Sequence, residues 1–527
     1  MPPATETPVR HEAIQETSNN QTEVFAVHGA DPEVLAYAMA KYSRSALSMK
    51  ESLREISSQR AEQFLNTFYF QYGHRSIADL AHIAFAIERL SLLAAITLVD
   101  EQRWDGQERS TRYQNFRKSG WYMPDFAQDA ASARLYTETI EKLFAEYHTV
   151  FEAVFASLKE QVRKPEEMKQ ESYDRTLKAR AFDVARYLLP LATNTSLGQI
   201  VNARTLETQV SRLLSNPVAE IRQLGEKLQA AAAGAAWNVY GADLAGLQRE
   251  IAALEPALGD RAAALLTREV KTAPTLVKYA AANDYQIRTR RELRQAAAEI
   301  FGDTPVDPAP LVDLVDDAES VEVEIASTLL YGASHYPYRQ IRSRVAELSE
   351  ARVSEIIDLG VRHRGRHDEL LREFSSGQAL RFDILMDIGG FRDMHRHRRC
   401  VQILQAFTPQ HGYAVPEGVP EAGVQPLYEE TVRGAHAAFR KLASGSAPEA
   451  AESACYVLPL ATQNRALFKM DFAEALYISE LRSAPQGHFS YRRVAWEMYL
   501  AVQRTHPNLA KYFRATDADA PIDLLQR

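Results

Sequence analysis

The chain has 527 residues and a formal net charge of −8, because 69 acidic side chains outnumber 61 lysines and arginines. This length allows two to four domains, and the hydrophobic fraction of 46% is typical of a soluble globular protein. The acidic balance argues against a protein whose main partner is nucleic acid. Two cysteines, Cys400 and Cys455, exclude a disulfide-stapled protein and favour a cytoplasmic one. No apolar run approaches the roughly 20 residues of a membrane span, so we expect no membrane association.

An internal repeat organises the chain. Tyr187-Leu-Leu-Pro-Leu-Ala-Thr193 recurs as Tyr456-Val-Leu-Pro-Leu-Ala-Thr462, with six identities in seven positions. A weaker similarity links residues 40–45 to residues 330–334 in the same order. Two similarities in one order favour a duplication over chance.

The duplication divides the chain into parts. Residues 1–22 lack the apolar segment of a secretory signal, and we expect a disordered tail there. The acidic, proline-rich segment Asp303–Pro310 indicates a linker. We therefore predict one unit at residues 23–250 and another at 313–527, joined by a helical and proline-rich connector at 251–312.

The predicted elements are mostly helical. A weak strand pattern lies at Ile83–Ile87, and a clear alternation of apolar and polar residues lies at Leu380–Ile388, before Gly389-Gly390. Apolar residues at helical spacing predict helices at Leu135–Leu158, Glu220–Ala232 and Leu427–Ser444. The predicted fold class is α+β, with two units that each hold a small, mostly antiparallel sheet and packed helices.

A basic cluster follows the second strand. Six of the eight residues from Arg392 to Arg399 are arginine or histidine, a density that favours an anionic ligand. A helix beginning near Arg392 would add its N-terminal dipole, which suits phosphate or pyrophosphate. The alternative interpretation is a solvated basic helix face. Binding to nucleic acid is disfavoured because no aromatic residues alternate with the charges.

The segment Arg396-His397-Arg398 after a strand resembles the Arg-His-Arg-x-x-Ser signature of the flavin-dependent thymidylate synthases of the ThyX type. Val401 stands where that signature has serine. The first half contains Glu108-Arg-Ser110-Thr-Arg112-Tyr113, which matches the Glu-x-Ser-x-Arg-Tyr loop of the family. It has Asp100-Glu101-Gln102 in place of Arg-His-Arg, so each half keeps the element that the other half lacks.

Further segments of the first half are similar to family elements. Arg186-Tyr-Leu-Leu-Pro resembles an Arg-x-x-Leu-Pro element, and Asn202-Ala-Arg204-Thr-Leu resembles an Asn-x-Arg-x-Leu helix. Arg212 best matches a downstream substrate arginine, and His74 an early family histidine.

The resemblance implies three overlapping sets of site residues. The catalytic set is Arg112, Ser110 and Arg212. The nucleotide set is Glu108, Ser110, Arg112, Tyr113, Arg186 and Arg212. The flavin set is Arg396, His397, Arg398, Asn202, Arg204 and His74. Arginines suit these roles because a guanidinium can donate two parallel hydrogen bonds to one phosphate.

The implied activity is reductive methylation of dUMP to dTMP with FAD, methylene-tetrahydrofolate and NADPH. The resemblance also implies a homodimer that imitates a tetramer of family units, with composite sites between the halves. Two alternatives remain: a diverged, non-catalytic protein that binds flavin or a pyrimidine nucleotide, and a one-carbon transfer to another pyrimidine nucleotide. His363 and His367 share a helical spacing, but the arginines around them oppose a divalent cation, and we expect no metal.

Overall fold

A computed structural model describes residues 29–41, 53, 75–112, 116, 120–126, 129–315, 320–365, 368, 371–377, 379–445, 448–511 and 513–525. None of the helices in these ranges is long and apolar enough to cross a membrane.

In the residues that the structure describes, the first half of the chain contains three strands and six helices. The strands are β1 (His82–Ser91), β2 (Asp105–Glu108) and β3 (Asn194–Asn202). The helices are α1 (Pro32–Lys41), α2 (Leu92–Leu98), α3 (Ala130–Gln161), α4 (Gln170–Ala185), α5 (Ala203–Leu214) and α6 (Ala219–Ala233). Three further helices follow: α7 (Gly241–Leu254), α8 (Pro256–Leu266) and α9 (Asp284–Phe301).

The second half contains four strands and nine helices in the described ranges. The strands are β4 (Val312–Leu314), β5 (Leu380–Asp387), β6 (Val401–Leu404) and β7 (Gln463–Met470). The helices are α10 (Val321–Tyr331), α11 (Tyr338–Ala346), α12 (Glu350–Val361), α13 (Ile388–Met394), α14 (Gln425–Ala443), α15 (Pro448–Ser453), α16 (Phe472–Ser483), α17 (Phe489–Thr505) and α18 (Pro507–Ala510).

Each half has its own antiparallel sheet, and the two sheets repeat one plan. The strand order is β1-β3-β2 in the first half and β4-β5-β7-β6 in the second. A helix follows directly on β1 and on β5, and each is capped by a side chain, from Ser91 and Asp387 respectively. The predicted α+β fold is confirmed.

The repeated segments 187–193 and 456–462 lie against each other. Four backbone hydrogen bonds of 2.9–3.0 Å join them in reciprocal pairs: Leu191 N to Leu458 O, Ala192 N to Tyr456 O, Leu460 N to Leu189 O, and Ala461 N to Tyr187 O. A single core of buried apolar side chains runs through both halves at this junction. The halves are therefore related by an approximate twofold axis that passes between the repeated segments.

The predicted helix at the basic cluster begins earlier than expected. Helix α13 starts at Ile388, where the Asp387 carboxylate accepts a hydrogen bond from the backbone N–H of Gly390 at 2.6 Å, and it ends at Met394. Gly390 allows α17 to pack closely, since a Cβ there would lie 2.5 Å from Ser490 Oγ. Arg396 and Arg398 thus follow the C-terminal end of this helix, and the predicted N-terminal dipole at the cluster is wrong.

Candidate functional site at the junction of the two halves

A cavity of about 630 Å³ lies between the halves, and we call it the inter-half cavity. One wall comes from β2 and the end of β3 in the first half, including Glu108 and Asn202. The opposite wall comes from the turn after α13 in the second half, including Arg396 and Arg398. The two motifs that the halves divide between them therefore border one space.

A direct contact joins these walls. Arg392 Nη2 donates a hydrogen bond to Glu108 Oε1, and Arg392 Nη1 donates to Thr111 Oγ1 at 3.4 Å. The Arg392 and Glu108 side chains are nearly buried, with 8% and 12% of their surface exposed. A charged pair at this depth holds the β2 edge of the first half against the basic turn of the second.

Arg398 differs from the other arginines that line the inter-half cavity. Its Nη1 donates to the Arg396 carbonyl and its Nη2 to the Val99 carbonyl, both at 3.1 Å. Arg392 is paired with Glu108, Arg396 lies 3.9 Å from Asp393, and Arg103 lies 3.5 Å from Asp79. Within the described ranges, no carboxylate lies within 4.0 Å of Arg398. Burial lowers the pKa of this guanidinium, so an anion in the cavity would stabilise its charge.

The histidine of the Arg-His-Arg segment lies behind the cavity wall. Arg482 Nε donates to His397 Nε2 at 2.8 Å, and His397 Nδ1 lies 3.6 Å from Glu474 Oε1. Burial lowers the pKa of His397. Because His397 is 6% exposed and packs against α16, it anchors the turn while Arg396 and Arg398 face the cavity.

A buried ionic cluster adjoins the cavity through Thr111. Asp183 accepts two hydrogen bonds from Arg112, at 2.7 Å from Nε and 3.2 Å from Nη2. Arg186 Nη1 donates to Thr111 Oγ1 at 3.2 Å, and Arg186 Nη2 lies 3.7 Å from Asp393. Burial raises the pKa of the Asp393 carboxyl, but the positive charges of Arg186, Arg396 and Arg112 outweigh it and hold the pKa below its usual value.

Arg186 has spare donor capacity in this cluster. The residue is 2% exposed, and its Nε and Nη2 atoms have no hydrogen-bond partner in the part of the chain that the structure describes. An unpartnered buried N–H is costly, and an oxygen-rich ligand would satisfy it. Ser110 stands beside the cluster, where its Oγ accepts the backbone N–H of Arg112 at 3.2 Å.

Two predicted site residues lie elsewhere. Arg212 donates to Glu101 at 2.7 and 3.0 Å and to the Thr97 carbonyl at 2.9 Å. It lines a second cavity of about 1010 Å³ together with Arg204, whose Nη1 lies 3.3 Å from Asp79. The structure thus brings Arg112 and Arg186 together without Arg212. Tyr113 and His74 lie outside the described residues.

The second cavity borders the position in the first half that corresponds to Arg-His-Arg. Asp100 and Glu101 occupy this position and carry the opposite charge. Arg372 donates to Asp100 Oδ1 at 2.5 Å, and Arg212 pairs with Glu101. Although burial raises the pKa of Asp100, the Arg372 and His395 side chains hold it well below its usual value. Ion pairs within the chain therefore neutralise this turn.

Sequence reasoning missed two residues of the junction. Trp104 forms part of the cavity wall, and the Arg398 guanidinium lies 4.5 Å from the centre of its ring. Asp183, near the end of α4, is the carboxylate that pairs with Arg112, and no local signal could have indicated this because the two residues are 71 positions apart. The predicted absence of a metal site is not contradicted: the described residues hold no group of three potential ligands, and His367 is not among them.

Two relatives in sequence align over most of the chain, and another aligns over one third of it. A UPF0159 protein of Chlamydia muridarum is 27% identical over 526 residues, which cover 95% of this chain and 93% of the relative. A UPF0159 protein of Thermoplasma acidophilum is 24% identical and covers 92% of this chain and 96% of its own length. A flavin-dependent thymidylate synthase of Clostridium tetani is 27% identical over 177 residues, or 33% of this chain and 67% of that enzyme.

A solved structure also matches in part. The flavin-dependent thymidylate synthase ThyX of Helicobacter pylori, solved with FAD and dUMP, is 18% identical and has a TM-score of 0.24. The match covers 38% of this chain and 88% of that one. The sequence profile described as thymidylate synthase complementing protein matches residues 25–235 and 311–508, which together make up most of the chain. The chain therefore belongs to the thymidylate synthase complementing protein family, the ThyX type, as a two-unit polypeptide.

Proposed function

We propose that this protein is a flavin-dependent thymidylate synthase that methylates dUMP to dTMP with methylene-tetrahydrofolate and NADPH as co-substrates. We further propose that it acts as a homodimer, and that the flavin binds in the inter-half cavity. The observation that carries the proposal is the position of Arg398. This cation from the second half has no carboxylate partner among the described residues and faces a wall built by the first half.

The cavity fits the phosphate-bearing part of FAD. Its volume lies within the range of small-molecule sites, roughly 300–1000 Å³. The Nε atoms of Arg392 and Arg398 are buried and have no partner among the described residues, and Arg396 is partly exposed at the rim. Arg396 and Arg398 would hold the pyrophosphate, and the Asn202 side chain lies on the opposite wall. When bound, the reduced flavin supplies the hydride that the methylation needs.

The buried cluster provides the nucleotide contact. Arg186 would donate its two unpartnered N–H groups to the nucleotide phosphate, and the Thr111 hydroxyl would remain beside it. Asp183 fixes the plane of Arg112 with two hydrogen bonds, so Arg112 enters the site already oriented.

One observation favours a second candidate function, in which the protein binds flavin or nucleotide without turnover. Arg112 and Arg212 already pair with Asp183 and Glu101, so less positive charge is left for a dianionic phosphate. Val401 lies in β6 where the family signature has a serine hydroxyl. The pairing of Arg112 and Arg212 would weaken substrate binding more than binding of a flavin at Arg398, and Val401 removes a polar group from the family signature.

Flavin binding tests both candidates. The purified protein is titrated with FAD, and the variant Arg398→Ala is compared with Arg399→Ala as the matched control. The Arg399→Ala variant removes the same charge from the same turn, but the Arg399 side chain is 66% exposed and pairs with Asp471 at the surface. We expect Arg398→Ala to weaken FAD binding by at least about tenfold and Arg399→Ala to leave it unchanged. A protein that binds no FAD contradicts the synthase and leaves only nucleotide binding for the second candidate.

Turnover then separates the two candidates. Release of tritium from dUMP labelled at C5, with methylene-tetrahydrofolate and NADPH present, reports replacement of that hydrogen by the new carbon. Release by the wild type supports the synthase. Bound FAD without tritium release supports the non-catalytic candidate.

A further inference from the structure

We propose that Trp104 is a positioning residue that orients Arg398 toward the ligand of the inter-half cavity. This inference rests on the proposed flavin site. It concerns a residue of the first half that acts on a cofactor contact of the second half.

The strand next to Trp104 is shaped to receive its ring. Gly106 of β2 lies opposite Gln199 of β3 in the sheet. A Cβ at Gly106 would clash with the Gly198 carbonyl and would lie 2.6 Å from the Trp104 ring. Since only glycine leaves this space open, the indole can lie close against the backbone of the strand.

A row of amides fixes the other edge of the indole. Trp104 Nε1 donates to Gln199 Oε1 at 2.7 Å, Gln199 Nε2 donates to Gln209 Oε1 at 3.2 Å, and Gln209 Nε2 donates to the Leu98 carbonyl at 2.9 Å. Gln199 and Gln209 are fully buried or nearly so. The ring is therefore held in one orientation before any ligand arrives.

The free face of the ring carries the guanidinium. Arg398 Cζ lies 4.5 Å from the centre of the Trp104 ring, a distance suited to a cation–π contact. The two terminal nitrogens donate to the Arg396 and Val99 carbonyls, so three contacts fix the guanidinium plane and none of them neutralises its charge. An aromatic ring can hold an arginine in place without the competing carboxylate that occupies Arg112, Arg212 and Arg392. Arg398 is thus both oriented and available to an anion.

The test measures FAD affinity by titration in wild type, Trp104→Phe, Trp104→Leu and Trp237→Leu. Trp237 is 85% exposed and lies outside the cavity, so its variant is the control for loss of an indole. We expect Trp104→Leu to weaken FAD binding by about 3- to 30-fold, Trp104→Phe to recover most of the affinity because it keeps an aromatic face, and Trp237→Leu to have no effect.

A double-mutant cycle separates positioning from structural damage. In the Arg398→Ala background, the guanidinium that Trp104 would orient is absent. Trp104→Leu is therefore expected to have no further effect on FAD affinity in that background. Arg398→Lys is the variant to use if Trp104→Leu fails to fold. It keeps the charge but lacks the planar group that stacks, and we expect it to weaken FAD binding as Trp104→Leu does.

The outcomes are distinct. If wild type binds FAD and Trp104→Leu binds it equally well, the role of Trp104 is refuted and the proposed function stands. An equal loss with and without Arg398 also refutes the positioning role. If wild type binds no FAD, the proposed function and this inference both fall.

Discussion

The pair formed by Arg112 and Asp183 is the sharpest place to test the electrostatics of the junction. The two side chains are 11% and 5% exposed, so Asp183→Asn leaves a desolvated guanidinium without its counter-charge. Losing one partner of a buried ion pair costs about 3–5 kcal/mol. The asparagine oxygen can still accept one of the two hydrogen bonds, so we expect the lower end, about 3 kcal/mol of unfolding free energy. The assay is urea unfolding followed by circular dichroism.

The matched control is Asp519→Asn. Asp519 also forms two hydrogen-bonded contacts with an arginine, Arg493, at 2.8 and 3.0 Å, but its side chain is 66% exposed. An exposed pair contributes at most about 1 kcal/mol. Added phosphate gives this experiment a second readout. In Asp183→Asn the Arg112 guanidinium no longer pairs with a carboxylate at position 183, so phosphate is expected to bind to Arg112 and Arg186 and to raise the unfolding free energy of the variant. If the unfolding free energy of Asp183→Asn lies within about 1 kcal/mol of the wild-type value, the buried charge pair is weaker than this argument requires.

Three more predictions follow from the structure. Burial raises the pKa of Glu220, which accepts a hydrogen bond from the Tyr456 hydroxyl at 2.6 Å. The contribution of Glu220 to the free energy of unfolding is therefore full below the ordinary glutamate pKa and falls as the pH rises through the raised pKa. The urea midpoint of Glu220→Gln, measured as a function of pH, should lack this decline. FAD titration should saturate at one flavin per chain rather than two. Asp100, which pairs with Arg372, stands in the first half where the second half has Arg396, so the first half offers no second set of flavin-binding arginines at this position. A ratio of two flavins per chain contradicts this prediction. Gly106→Ala should lower the thermal unfolding midpoint, since its Cβ meets backbone and the Trp104 ring; an unchanged midpoint would mean that β2 can shift.

Local patterns were enough to predict the repeat and the main elements. The alternation at 380–388 lies on β5, and the three helices predicted by apolar spacing lie within α3, α6 and α14, apart from the last residue of the third. The basic turn was recognisable because its charges are adjacent in sequence. Each of these patterns depends only on residues a few positions apart, so it can be recognised directly in the sequence.

The partners of the arginines could not be predicted in the same way. Arg112 and Asp183 are 71 positions apart, and Arg212 and Glu101 are 111 apart, so no local pattern links them. The predicted trio of Arg112, Arg186 and Arg212 rests on similarity to family elements, and the structure places Arg112 and Arg186 in the buried ionic cluster and Arg212 at the second cavity. The start of α13 was missed because Gly389-Gly390 was interpreted as a break, whereas close packing against α17 requires glycine there.

The junction explains how each half could lose a motif that the other keeps. In the first half, Ser91 donates to Glu220, and Tyr456 of the second half completes the group. In the second half the carboxylate and hydroxyl exchange places: Ser490 donates to Asp387, whose negative charge acts on Tyr187 of the first half. The Tyr456 hydroxyl is thus hydrogen-bonded to the opposite half, and the Tyr187 ring stacks on His488 and Phe489 of the second half, so the halves are joined by buried rings and by a buried polar contact that would be left unpaired on separation. In the composite site that we propose, two units that stay joined need only one copy of each motif, and the second copy is then free to diverge.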